Sequence, residues 1–187
     1  MPPSTDLVLL PDVATHLNWS AAETSKYTTP MGRFISAATT VIEGISGPVV
    51  QRTFDEWYTG GRSRIQLDNY PVVGIPTLVT ESYGSSVVWT LTNEPVDGSS
   101  AGDAYGYTID LAMGVLFRRA SGVSMNFANG VRNIHVQYTA GMCADTAHVP
   151  PNIALAALEL IRFNWQPTQA GNVPSFGGGS GVDTVSV

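Results

Sequence analysis

The chain has 187 residues, 43% of them hydrophobic and only 13% charged, about half the charged share of an ordinary soluble protein. Acidic residues outnumber basic ones by 15 to 9, for a net charge of −6, and the basic set is eight arginines with the single lysine Lys26. That balance excludes a charge-rich disordered chain and disfavours a nucleic-acid wrapper, and the lone Cys143 excludes a disulfide framework or a multi-cysteine zinc site.

The first residues carry no basic leader, and the apolar run Leu7 to Leu10 is too short for a secretion signal. No run approaches the roughly 18 apolar residues of a membrane span. The expectation is synthesis in the cytoplasm and no membrane partner. Leu10-Pro11-Asp12-Val13 predicts a first helix over 11–17, with Pro in its first turn and Asp12 at the positive end of its dipole. A polar loop from Trp19 to Thr29 follows. Phe34, Ile35, Ala38, Val41, Ile42 and Ile45 recur at helical spacing and predict a second helix over 30–46, stopped by Gly47-Pro48.

From Val49 the period changes to two. Val50, Arg52, Phe54 and Glu56 alternate with Gln51, Thr53, Asp55 and Trp57, and Gly60-Gly61 turns the chain into Arg64 to Leu67. Further strands are predicted at 76–82, 87–92, 105–110, 114–118 and 131–139, with a long loop over 93–102. Val149-Pro150-Pro151-Asn152 opens a last helix, 152–165, whose apolar residues run nearly all round it. Such a helix is either wholly buried or shared with another subunit. The predicted class is α+β: a small bundle of two N-terminal helices and one C-terminal helix beside a mainly antiparallel β region over 49–140. Residues 1–166 form one domain, and 167–187 form an extended Gly-rich tail. Leu160, Phe163 and Trp165 on the last helix, with Phe176, Val182, Val185 and Val187 in the tail, are the candidate subunit or partner contacts. The valine-ended tail suits addition as a strand to a partner's edge.

Catalytic patterns are missing: there is no nucleophile elbow, no Walker loop, no dinucleotide fingerprint and no paired-histidine helix. His135, Cys143, Asp145 and His148 are the best candidate group for metal ligands. His135 reads instead as a solvent-side strand residue and Cys143 as a small apolar filler, so no metal, cofactor or catalytic residue is expected. Asp55 and Glu56 are adjacent on a strand and point to opposite faces, which denies them an acid–base partnership. Arg118-Arg119 reads as a solvated strand end or an ion-pair partner and not as a nucleic-acid patch. Trp57, Tyr58, Tyr83, Trp89, Tyr105 and Tyr107 could line a sugar-binding face, which makes a β-rich carbohydrate-binding module the alternative function, although strands favour aromatics for packing alone.

Several phrases, in order, resemble the head–tail connector (adaptor) proteins of long-tailed, portal-bearing phages. They are Leu9-Leu10-Pro11-Asp12-Val13-Ala14-Thr15-His16-Leu17, the helix Phe34 to Glu43 with Val50-Gln51-Arg52-Thr53 after it, and Leu67-Asp68-Asn69-Tyr70-Pro71-Val72-Val73-Gly74-Ile75. Gly114-Val115-Leu116, Val136-Gln137-Tyr138-Thr139-Ala140-Gly141 and Val149-Pro150-Pro151-Asn152-Ile153 complete the set, which spans residues 7 to 165. The resemblance implies a structural virion protein of the neck and not an enzyme. It would assemble as a ring, expected to be a dodecamer, under the portal, extend the DNA channel without sequence-specific binding, and dock a stopper, head-closure or tail-terminator protein.

Overall fold

The computed structural model describes residues 5–84, 87–94 and 105–169. Three helices and two β-sheets each close a core of their own. The α+β class is as expected, and all strand pairs but one are antiparallel.

Helix α1 (Leu10–His16) begins where the Asp12 carboxylate accepts the Leu9 N–H at 2.9 Å. Helix α2 spans Ala21–Ser46, nine residues earlier than the apolar repeat predicts. Its start is set by chemistry at the N-terminus: the Glu23 N–H donates to Ser20 Oγ at 3.3 Å, and Glu23 accepts the Ser20 N–H at 2.8 Å. This reciprocal pair satisfies two otherwise orphaned donors. Pro30 therefore lies inside the helix, where it removes one backbone donor without ending it. Helix α3 (Pro151–Gln169) runs past Pro167, four residues beyond its expected end. Residues 170–187, most of the expected tail, lie outside the described residues, as does most of the expected 93–102 loop.

The helical core gathers Val13 of α1, Met31, Ile35 and Ala38 of α2, and Ala157, Ile161 and Trp165 of α3. The N-terminal segment lies across it, with Leu7 and Val8 buried and the Leu7 N–H donating to Thr39 Oγ1 at 3.1 Å. At the exit of α2, Glu43 accepts the Val49 N–H at 2.9 Å and pairs with Arg52 at 2.7 Å, fixing the passage into the sheet.

The strands are β1 (Arg52–Tyr58), β2 (Arg64–Gln66), β3 (Leu78–Tyr83), β4 (Val87–Thr90), β5 (Thr92–Asn93), β6 (Gly106–Asp110), β7 (Val115–Ala120), β8 (Val123–Ser124) and β9 (Ile134–Ala140). One sheet has the order β1-β9-β3-β4; the other runs β2-β7-β6-β5, with β8 paired to β7. The long β1–β9 pairing, Arg52 opposite Ala140 through Tyr58 opposite Ile134, is the backbone of the first sheet. Alternation decides which side faces in: Ile134, Val136, Tyr138 and Ala140 are fully buried, while His135, Gln137 and Thr139 between them are only partly so. Across from them Ile65, Leu67, Tyr107 and Leu116 complete the second core, with Val72, Val79, Leu91 and Phe127. A β-carbon on Gly60 would come within 1.9 Å of the Ala128 carbonyl oxygen, so only glycine lets these two loops cross.

Candidate interaction surface

The strongest surface signal is apolar and lies on the helices. Phe34, Ala37, Ala38 and Val41 of α2 face Leu160, Ile161 and Asn164 of α3 across a groove of about 340 Å³ that no charged side chain among the described residues lines. The apolar stripe of α2 continues beyond it to Ile45, which is 87% exposed, and α3 leaves Phe163 75% exposed. Covering a side chain of that size is worth about 1.5–3 kcal/mol, so several left in water on adjoining helices form a candidate contact surface.

The predicted contact residues divide along this surface. Phe163 is open to solvent, and Leu160 is partly buried against the helical core. Trp165 is turned inward at 6% exposure and meets Trp19, Tyr27 and Phe34 with ring centroids 5.2–5.5 Å apart. It is a core residue of its own chain. Phe176, Val182, Val185 and Val187 lie outside the described residues.

The six aromatics of the sugar-face alternative do not share a face. Tyr107 is buried, and Tyr58 donates into the core to Glu56. Trp57 stacks flat on His135 at 4.4 Å on the outer face of the first sheet, whereas Tyr83, Trp89 and Tyr105 cluster at the edge strand β4. Glu56 also accepts Tyr138 Oη–H at 2.6 Å and Asn69 Nδ2–H at 2.8 Å. Burial, with Glu56 next to it, pushes the Tyr138 phenol up to about 12. This is a structural network under the β1–β9 pair.

The four candidate metal ligands are likewise dispersed. His135 pairs with Asp55 across the β1–β9 ladder, and hydrogen bonds from His135 and Gln137 hold the Asp55 carboxyl below its usual range. Cys143 is buried with Sγ 3.3 Å from the Val49 carbonyl, and burial pushes its thiol up, away from nucleophile chemistry. Asp145 and His148 pair with each other at 2.7 Å on an exposed turn. Asp55 and Glu56 do serve opposite faces, as strand geometry requires.

Of the two roles expected for Arg118, the structure gives it that of an ion-pair partner and not that of a solvated strand end. It is 2% exposed, wedged between the sheets, with Nη2 2.7 Å and Nε 3.2 Å from Glu81 Oε1 and Nη1 3.0 Å from the Gly106 carbonyl. Glu81 Oε2 accepts the Ala128 N–H at 3.0 Å, so the pair is fully enclosed. Arg119 faces buried Glu94 at 3.6 Å. The available signal was opposite charges at inward positions of two strands, Glu81 in step with Val79 and Arg118 in step with Leu116.

No family model and no curated protein matches this sequence. Solved structures do. The chain is similar to a protein in the neck of an empty GTA (gene transfer agent) particle, computed with C6 symmetry, at a TM-score of 0.64 and 16% identity over 95% of this chain and 84% of that one. A second match, from the neck of a native GTA particle computed with C12 symmetry, has a TM-score of 0.53 and 18% identity over 96% and 85% of the two chains. The fold is shared with a particle-neck protein. The aligned span takes in both the helical core and the β-sandwich, so the likeness belongs to the whole arrangement and not to one common motif. Among the described residues no helix is long and apolar enough to cross a membrane.

Proposed function

We propose that this protein is a head-to-tail adaptor, a structural component of a virion neck with no catalytic step. Copies assemble as a ring, twelve in number, beneath the portal; the ring extends the DNA channel and docks a stopper, head-closure or tail-terminator protein. The single observation that supports this reading best is the fold shared over 95% of the chain with a protein of a neck computed with C6 symmetry. The exposed α2–α3 stripe supplies apolar area for subunit contacts, with Leu160 in its groove and the exposed Phe163 adding to it from α3. Trp165 contributes from inside, by holding the end of α3 in place. Residues 170–187 act as an arm, and Phe176, Val182, Val185 and Val187 engage a neighbour or a neck partner. A net charge of −6 suits a conduit that DNA passes without adhering. The protein is made in the host cytoplasm and incorporated into the particle.

Mass photometry of the purified full chain, alone and with its portal, tests the proposal. The expected result is a species of twelve times the 19.8 kDa chain mass that binds portal. A strict monomer that ignores portal overturns it. Removing residues 171–187 should leave the melting temperature unchanged and weaken assembly; a truncated chain that attaches to its partners at full strength refutes the role of the arm.

A further inference from the structure

Most of the nine basic side chains are committed within the chain. Arg52, Arg118, Arg119 and Arg162 pair with Glu43, Glu81, Glu94 and Glu159, and Lys26 lies over the Tyr27 ring. Arg33 on α2 and Arg62, Arg64 and Arg132 are exposed and make no salt bridge among the described residues. The last three share one end of the β-sandwich. Arg62 and Arg64 line the same open hollow of about 320 Å³ with Tyr58, Thr59 and Gln66. The Arg132 N–H donates to Thr59 Oγ1 at 3.4 Å on the same loop. The loops are fixed to each other, with Phe127 N–H on the Arg62 carbonyl at 2.8 Å and Gly60 N–H on the Gly130 carbonyl at 3.0 Å.

The other end of β2 has the opposite sign. Asp68 and Asp110 are exposed and make no salt bridge among the described residues. Gln66 pairs with Val115 and Val115 with Asp110, while Leu67 N–H donates to the Gly114 carbonyl, so both carboxylates sit at the β6–β7 turn. Arg62 and Asp68 are six residues apart, at most roughly 20 Å. One side of a charge-poor molecule thus carries a basic end and an acidic end in line.

A closed ring of identical copies needs a heterologous contact, in which two different patches of one chain complement each other. We propose that the Arg62–Arg64–Arg132 end of one copy docks on the Asp68–Asp110 end of the next, forming the polar part of the ring contact. This rests on the ring reading above. Arginine forks suit carboxylates, which they grip with two parallel N–H donors. A nucleic-acid backbone laid along the same side would meet Asp68 and Asp110 as well as the arginines, so a second copy fits this surface better than phosphate does.

Two full-length charge variants test the contact. Arg62→Glu with Arg64→Glu makes both ends acidic, and Asp68→Arg with Asp110→Arg makes both ends basic. Each alone should need at least about tenfold more protein than wild type to form the ring, because like charges then meet at every contact. An equimolar mixture should assemble near the wild-type concentration, since the two variants can alternate around an even-numbered ring. Unchanged melting temperatures show that folding is intact. Asp68→Arg alone, which spares the Asp110 hydrogen bond to Met113 N–H, repeats the acidic-end test without touching that turn. Variants that assemble as wild type does, or a mixture that stays monomeric, overturn the contact. Normal rings that lose portal attachment or DNA retention overturn it too and assign the arginines to that partner. A wild-type chain that never forms a ring, with or without portal, fails the ring reading itself and the contact with it.

Discussion

Arg118→Ala is expected to destabilise the protein by about 3–5 kcal/mol, against a total stability of about 5–15 kcal/mol for a domain. The reason is asymmetric. Arg118 and Glu81 have side-chain exposures of 3% and 0%, and the ion pair closes the space between the sheets at 2.7 Å. Removing the guanidinium leaves a carboxylate sealed from water with, among the described residues, only the Ala128 N–H to hold it. Glu81→Ala strands the positive charge in the same way. Replacing both, with Arg118→Met and Glu81→Leu, removes both desolvation costs and should return stability to within about 1 kcal/mol of wild type or above it. Urea unfolding of the three variants measures this. Two single losses under 1 kcal/mol would show that the pair is not enclosed as described.

Trp165→Ala is the second large effect, an expected loss of about 3–5 kcal/mol from a cavity that three surrounding rings cannot fill. Trp19, Tyr27 and Phe34 each contact Trp165 edge-on or nearly so, and such pairs contribute about 0.5–1.5 kcal/mol beyond area burial. Trp19→Ala should therefore lose less in a Trp165→Ala background than in wild type, a coupling that a double-mutant cycle in thermal or urea unfolding reads directly. Phe163→Ala, two residues away and exposed, should leave stability nearly unchanged and act on assembly. An unchanged melting temperature for Trp165→Ala would contradict the inward placement of that ring.

Much of this architecture is legible from the residues because the periods are clean. The alternation Ile134-His135-Val136-Gln137-Tyr138 survives intact as the central strand of a sheet, and Phe34 to Ile45 survives as a helix. The first nine residues of α2 were not legible in this way. Thr28, Thr29 and Pro30 are poor helix formers, and the helix holds there through the Ser20–Glu23 cap and the packing of Tyr27 on Trp19 and Trp165. Arg118-Arg119 was legible as an ion-pair doublet but not as a buried one. A basic doublet at a strand end is ordinarily solvated, and the residues that bury this one, Glu81 and Glu94, come from distant strands. The last helix was half legible. Its apolar circumference is real, but Trp165 serves its own core while Phe163 stays outside, a division that depends on where α1 and α2 lie.

Electron microscopy of the protein bound to its portal tests the central claim most directly. The expected image is a closed ring of twelve copies seated on the portal, with the α2–α3 stripe covered and the basic end of each sandwich against the acidic end of the next. Portal particles with no added ring, or single copies scattered on the portal surface, would contradict it.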